Sequence, residues 1–149
     1  MKKYVTIFSI GFLSLSVNVF ALNKKEVNEK VISLFKKAFP SAEKVIWQEF
    51  SDKYMVRFEQ SNIQMSIDYD KEGNYLQSKR YYQEDNLPVN ILFRIRKKYA
   101  EYKVFGVTEI STENNTEYYI KLEDSANWLT VKTDVSGIME VVEKYKKSL

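Results

Sequence analysis

Short segments in which apolar and polar residues alternate constrain this sequence more than any other feature. In 54–59, aromatic and aliphatic residues occupy every second position. A period of two is typical of a β-strand with one face in a core and the other in water. Turn-forming residues such as those of 70–73 separate the segments, so the sequence predicts antiparallel strands with short connections. The predicted strands are 45–50, 54–59, 63–69, 75–82, 102–110, 118–123, 128–133 and 138–143.

Two segments show helical spacing instead. Asn23 and Glu26 form a capping-box pattern, apolar residues follow at intervals of three or four, and Phe39-Pro40 ends the pattern. A second helical pattern runs from Pro88 to Ala100, with proline in the first turn. The predicted order of elements is therefore a helix and four strands, followed by a second helix and four strands.

The two halves of the sequence match each other. Phe39 aligns with Tyr99 at an offset of 60 residues, and the turn residue Asp70 aligns with Asp134 at an offset of 64. We therefore predict an α+β fold that is a tandem repeat of one helix packed on a four-stranded antiparallel sheet. The first repeat would cover 22–86 and the second 87–149. The sequence does not decide whether the two sheets join edge to edge or dock separately.

The N-terminus has the pattern of an export signal. Lys2 and Lys3 precede an uncharged run over 4–20, and Ala21 follows at a suitable cleavage position. We predict a signal peptide over 1–21. An uncleaved membrane anchor is the alternative, although the run is short for a bilayer span. With no cysteine for a lipid anchor or a disulfide, we expect a free periplasmic or secreted protein with no membrane span after cleavage.

The residue types present exclude several kinds of chemistry. The sequence has no histidine and no cysteine, which rules out Ser-His-Asp and Cys-His catalysis and zinc sites built on those ligands. Glu49 and Glu109 occupy equivalent strands and could act as an acid–base pair, but solvated strand ends are the favoured interpretation. The 68–73 segment resembles a calcium loop, yet its closing position is Lys79, so a hairpin turn is favoured. A glycosylation sequon at 114–116 fits chance. We predict no enzyme activity, no catalytic residue, no cofactor and no metal.

The alternation also predicts which residues face away from the helices. With Val56 and Ile120 in the core, the opposite face presents Met55, Arg57, Gln64, Ser66, Tyr119, Lys121, Trp128, Thr130 and Lys132. Because Trp, Tyr and Arg are enriched at binding hot spots, the candidate partner-binding residues are Arg57, Tyr119, Lys121 and Trp128. The alternative is that these residues only pack across strands of a solvated sheet.

Several segments resemble the PepSY-like, β-lactamase-inhibitor-like family of secreted proteins. The segments are 39–42, 45–47, 54–58, 70–73, 87–88, 98–99 and 118–122. The resemblance implies the fold of the β-lactamase inhibitor protein, a tandem arrangement of helices on an antiparallel sheet whose exposed face docks on an enzyme. No residue of an inhibitory site carries over to this sequence.

The predicted function is that of a secreted or periplasmic non-enzymatic binding module. It would act through its open sheet face as a protein inhibitor or an envelope chaperone, and its partner would be another envelope or secreted protein. The alternatives are a small-ligand-binding or envelope-stress protein with a cleft between repeats and, less favoured, a hydrolase. The lysines are spread along the chain rather than grouped in a stripe, so no nucleic-acid partner is expected. The sequence does not determine the oligomeric state.

Overall fold

The structure is a computed structural model that describes residues 27–148. The predicted signal peptide over 1–21 lies outside the described residues. Within them the chain forms two α-helices and eight β-strands. These elements are α1 (Glu29–Ala38), β1 (Glu43–Glu49), β2 (Lys53–Gln60), β3 (Ile63–Asp70), β4 (Tyr75–Tyr82), α2 (Val89–Lys98), β5 (Lys103–Ser111), β6 (Thr116–Glu123), β7 (Asn127–Asp134) and β8 (Met139–Lys146).

All eight strands belong to one antiparallel sheet in the order β1 to β8. The prediction of a tandem repeat of a helix on a four-stranded sheet is therefore wrong, since the chain is mostly one continuous sheet with two short helices. Strands β4 and β5 pair from Ser78 opposite Ser111 to Tyr82 opposite Val107. The physical reason is that two separate sheets would each leave an unpaired edge here, and pairing satisfies those backbone groups.

Both helices pack on the same face of this sheet. Val31 and Phe35 of α1 lie over residues of β2 and β3, and Ile91 and Ile95 of α2 lie over residues of β5, β6 and β7. The strand residues beneath them include Val56 and Ile120, both 0% exposed. The predicted core parity is confirmed. The division of the chain at residues 86 and 87 stays a prediction.

Helix α1 begins at Glu29, where the side chain of Asn28 accepts a hydrogen bond from the Lys30 N–H at 2.9 Å and caps the helix. The predicted capping box of Asn23 and Glu26 lies outside the described residues. The last strand is longer than predicted: the sequence predicts its end at residue 143, and β8 continues to Lys146. The Lys147 N–H then donates to the Ala126 carbonyl at 2.7 Å, which holds the end of the strand.

The face of the sheet opposite the helices carries the other set of alternate residues, and we call it the helix-free face. In one row across the strands, Ile46 pairs with Arg57, Arg57 with Ser66, Ser66 with Lys79, and Lys79 with Ile110. Residues opposite one another in register share a face. The functional question is what this uncovered face presents.

Candidate binding site on the helix-free face

The structure brings three of the four candidate residues to one end of the helix-free face. Lys121 and Trp128 belong to one cluster, and Tyr119 lies two residues before Lys121 on β6. The Lys121 ammonium is 4.9 Å from the Trp128 ring, and Lys147 lies 4.5 Å from the same ring. Arg57 lies on β2, at the other end of the sheet. The four candidates therefore share a face but do not form one cluster.

Phe105 packs on Trp128, and we call these two rings together with Lys121 the aromatic cluster. Phe105 was not among the candidates predicted from the sequence. Its ring meets the Trp128 ring edge to face, with centroids 4.9 Å apart, and it is 53% exposed. Alternation along β5 would have placed Phe105 beside Val107, in the core. The pairing of β5 with β6 instead skips Phe105, with Val104 opposite Leu122 and Gly106 opposite Lys121.

This irregularity is a β-bulge, and it has a direct effect on the surface. An extra residue in one strand redirects its side chain relative to the alternating pattern. Phe105 therefore lies on the helix-free face, where its ring contacts Trp128. A glycine inside a strand often marks such a bulge, so Gly106 was the available signal in the sequence.

A cleft of about 970 Å³ lies beside this cluster. Its walls are formed by Phe105, Tyr81, Tyr119 and Val142, with Gly106 among the lining residues. A Cβ atom added at Gly106 would meet no atom within 4 Å. The missing side chain therefore leaves open space in the cleft rather than relieving a clash.

Hydrogen bonds fix the polar side chains around the cleft. The Tyr119 hydroxyl donates to Glu117 at 3.0 Å, and Lys132 lies 2.9 Å from the same carboxylate. Lys132 first, and then Tyr119, stabilise the charged form of Glu117 and hold its pKa below its usual value. Tyr145 and Thr130 donate to Glu143 at 2.7 and 2.9 Å and lower its pKa in the same way. These carboxylates are therefore charged and already bonded at neutral pH.

The other end of the helix-free face is a charged depression of about 490 Å³. Lys44 pairs with Glu59 at 2.7 Å, and Lys53 pairs with Asp68 at 2.7 Å. Hydrogen bonding to these carboxylates raises the pKa of both lysines. Arg57 lines this depression and is therefore not part of the aromatic cluster.

Glu49 and Glu109 do not form a catalytic pair. Glu49 accepts a hydrogen bond from Lys71 at 2.8 Å, and Glu109 lies on β5, four strands along the sheet from β1. The interpretation of Glu109 as a solvated strand end is also wrong, because it is only 9% exposed. It pairs with Arg80 at 3.2 Å and accepts a hydrogen bond from Tyr82 at 2.6 Å.

The Glu109 cluster is a structural element that joins β4 to β5. Arg80 and Tyr82 lie on β4, directly next to the strand that carries Glu109. Burial, and then the hydrogen bond to Glu109, raise the pKa of Tyr82 far above its usual value. The group therefore stabilises the join between the two ends of the sheet.

The loops considered in the sequence analysis form ordinary turns. The Asp70 side chain accepts hydrogen bonds from the Glu72 and Asn74 backbone N–H groups at 3.0 and 2.7 Å, which closes the β3–β4 turn. Residues 27–148 contain no group of three or more acidic, histidine or cysteine side chains placed to share a metal ion. Neither α1 nor α2 is long and apolar enough to cross a membrane.

Comparison with known proteins shows similarity of fold. No protein-family model matches the sequence, and neither does any curated protein. A solved structure of a BLIP-like protein from Bacteroides fragilis covers 81% of this chain and 86% of its own, with 17% identity and a TM-score of 0.63. A DUF2874 family protein from Bacteroides ovatus covers 81% and 88%, with 18% identity and a TM-score of 0.64.

A third solved structure shows the same likeness of fold at low sequence identity. It is a Bacteroides eggerthii protein provisionally described as periplasmic, which covers 81% of this chain and 89% of its own, with 13% identity and a TM-score of 0.63. At these identities the likeness shows the fold alone. It supports the BLIP-like part of the predicted resemblance, whereas the PepSY-like name stays a prediction.

Proposed function

We propose that the protein is an exported, non-enzymatic binding module of the bacterial envelope that docks another protein on its helix-free face. The observation that carries the proposal is the aromatic cleft. Phe105, Tyr81 and Tyr119 line one open concavity, and Trp128 packs against Phe105 at its border. Rings of this kind supply large contact areas at low entropic cost and are enriched at protein interfaces.

The shape of the cleft favours a protein segment over a small molecule. Sites for small ligands surround most of the ligand surface, whereas this cleft is open to solvent along the face of the sheet. The bulge at Phe105 adds to this argument. A strand that only needed to pack under α2 would gain nothing from a redirected phenylalanine that is 53% exposed.

Periplasmic location is part of the proposal. Its support is the signal-peptide pattern of 1–21 and the periplasmic description given to the Bacteroides eggerthii protein of similar fold. Inhibition of an envelope enzyme and chaperoning of an envelope protein are both outcomes of such docking. The partner would distinguish them, since an inhibitor binds a folded enzyme near its active site and a chaperone binds an unfolded one.

Site-specific photocrosslinking tests the proposal. A photoreactive phenylalanine analogue replaces Tyr81 in the cleft in one variant and Phe93 in the other. Phe93 is the matched control, because it is an aromatic residue 68% exposed on the outer side of α2. Both variants are irradiated in an envelope extract of the cells that make the protein, with and without excess unlabelled protein.

The expected result is one crosslinked partner that forms through position 81, is lost in the presence of excess unlabelled protein, and does not form through position 93. Equal crosslinking through both positions would contradict docking on the helix-free face. Absence of any competed crosslink through position 81 would contradict it as well.

A further inference from the structure

The charged end of the helix-free face contains two cations that have no carboxylate partner. Four cations line the depression, but its two carboxylates, Glu59 and Asp68, are already paired with Lys44 and Lys53. Arg57 and Lys79 line the same depression, and neither takes part in an ion pair or a side-chain hydrogen bond with any residue of 27–148. The local excess of positive charge therefore belongs to these two residues.

The sheet register places the two cations on either side of a small polar residue. Arg57 lies opposite Ser66 on β3, and Ser66 lies opposite Lys79 on β4. Two strand spacings separate the cations by roughly 10 Å between Cα atoms. Ser66 is only 8% exposed, and its hydroxyl makes no hydrogen bond to another side chain of the described chain. The three residues form a slot with a free hydroxyl at its floor and a cation on each side.

We infer that this slot receives a carboxylate side chain from an acidic segment of the partner protein. The inference rests on the proposed docking function and specifies the chemistry of the partner. A carboxylate has acceptor oxygens for the guanidinium, the ammonium and the hydroxyl at once. Electrostatic complementarity of this kind directs the orientation of a partner and speeds its association.

The slot is continuous with the aromatic cleft. Gln64 and Tyr81 line both concavities, so one extended segment can place an acidic residue in the slot and an aromatic or aliphatic residue in the cleft. In the same row, Ile46 and Ile110 lie on either side of the two cations. Ile46 is 65% exposed, which favours apolar residues next to the acidic one.

A flat anionic membrane fits this surface less well than a protein segment. Both cations line a concave depression, and neither lies on an edge strand of the sheet. Membrane-bound surfaces instead present exposed apolar and basic residues to the plane of the headgroups.

Short synthetic peptides that alternate tyrosine with either glutamate or glutamine test the inference. Binding to the mature protein is followed by fluorescence anisotropy at low and at physiological salt. The glutamate peptide is expected to bind about tenfold more tightly than the glutamine peptide at physiological salt, because charged hydrogen bonds contribute more than neutral ones. The difference should increase at low salt.

Charge-neutralising variants locate the effect. Arg57→Gln combined with Lys79→Gln should lower the affinity for the glutamate peptide to that for the glutamine peptide. The matched control is Lys36→Gln combined with Lys37→Gln, which makes the same change in net charge on exposed residues of α1. The control should retain the full preference for glutamate.

Four results would overturn the inference. Three of them are equal binding of the two peptides, no measurable binding of the glutamate peptide, and an equal loss of preference in the control variant. Competition by free acetate or phosphate as effective as that by the glutamate peptide would also overturn it, because the slot would then bind free anions rather than a partner segment. Each of these results leaves the crosslinking test through Tyr81 unaffected, so failure of the acidic segment and failure of docking remain distinguishable.

Discussion

The two ends of the sheet resemble each other beneath the helices and differ on the helix-free face. Under α1 and under α2, alternate strand residues such as Val56 and Ile120 are completely buried. On the helix-free face, the β5–β8 end presents the rings of Phe105 and Trp128, whereas the β1–β4 end presents charged side chains around Arg57. Packing under a helix limits which residues are acceptable, while the helix-free face is under no such constraint. The difference between its two ends is therefore where we expect binding specificity.

If burial under the helices accounts for most of the stability, substitutions in this core should lower the free energy of unfolding more than substitutions on the helix-free face. Ile120→Ala removes a completely buried side chain and should lower the free energy of unfolding by about 4 kcal/mol, from lost burial and the remaining cavity. The matched control is Ile46→Ala on the helix-free face, where we expect a loss below about 0.5 kcal/mol. Urea unfolding followed by fluorescence measures both, and similar losses would contradict the assignment of the two faces.

The join between the two ends of the sheet should be sensitive to loss of Glu109. Glu109→Ala leaves Arg80 and the Tyr82 hydroxyl without their shared partner and should destabilise the fold by about 3 kcal/mol. Glu59→Ala is the control, since it breaks the surface pair with Lys44 and should cost below about 1 kcal/mol. An effect of Glu109→Ala no larger than that of the control would show that this cluster does not hold β4 to β5.

The aromatic end should contribute binding affinity rather than stability. Phe105→Ala removes an exposed ring from the border of the cleft and should weaken binding of the crosslinked partner by about 2 kcal/mol, or roughly 30-fold. Phe93→Ala makes the same substitution on the outer side of α2 and should leave binding unchanged. Calorimetric titration of both variants decides the point, and equal affinities would remove Phe105 from the binding surface.

The β6–β7 turn and the corresponding β2–β3 turn should differ in how much their contribution to stability changes at low pH. Asp124 accepts hydrogen bonds from the Asn127 side chain and from the Ala126 and Asn127 backbone N–H groups, which lowers its pKa to about 2. The corresponding β2–β3 turn uses Ser61 and Asn62 in left-handed conformations and has no such carboxylate.

A carboxyl group whose pKa is lower in the folded state stabilises the fold above its unfolded pKa of about 4 and loses that contribution as the pH falls toward 2. Thermal stability should therefore decline over this interval, and Asp124→Asn should reduce the slope of the decline. Asp52→Asn, in an exposed turn at the other end, is the control. An unchanged slope in Asp124→Asn would contradict the role of its carboxylate.

Much of the fold could be predicted from sequence because alternation determines which residues face the core. Each predicted strand is present, and Val56 and Ile120 lie on the predicted side. The joining of the two halves could not be predicted. A period of two assigns the faces of a strand but does not say which edge pairs with which, and the pairing of β4 with β5 depends on that choice.

The candidate site was predicted only in part, for similar reasons. The shared parity of Tyr119, Lys121 and Trp128 placed these residues on the helix-free face correctly. Phe105 was missed because a bulge interrupts the alternation of β5. Lys79 was missed because only the strand register shows that it lies across Ser66 from Arg57 and that other lysines have taken the nearby carboxylates.

Gly106→Val tests most directly the central claim that the helix-free face is the docking surface. An added Cβ meets no atom within 4 Å, and β-branched residues are favoured in strands, so the melting temperature should stay the same or rise. The new side chain occupies the cleft, so binding of the partner crosslinked through position 81 should be lost. A variant that melts like the parent protein and binds that partner with unchanged affinity would contradict the account.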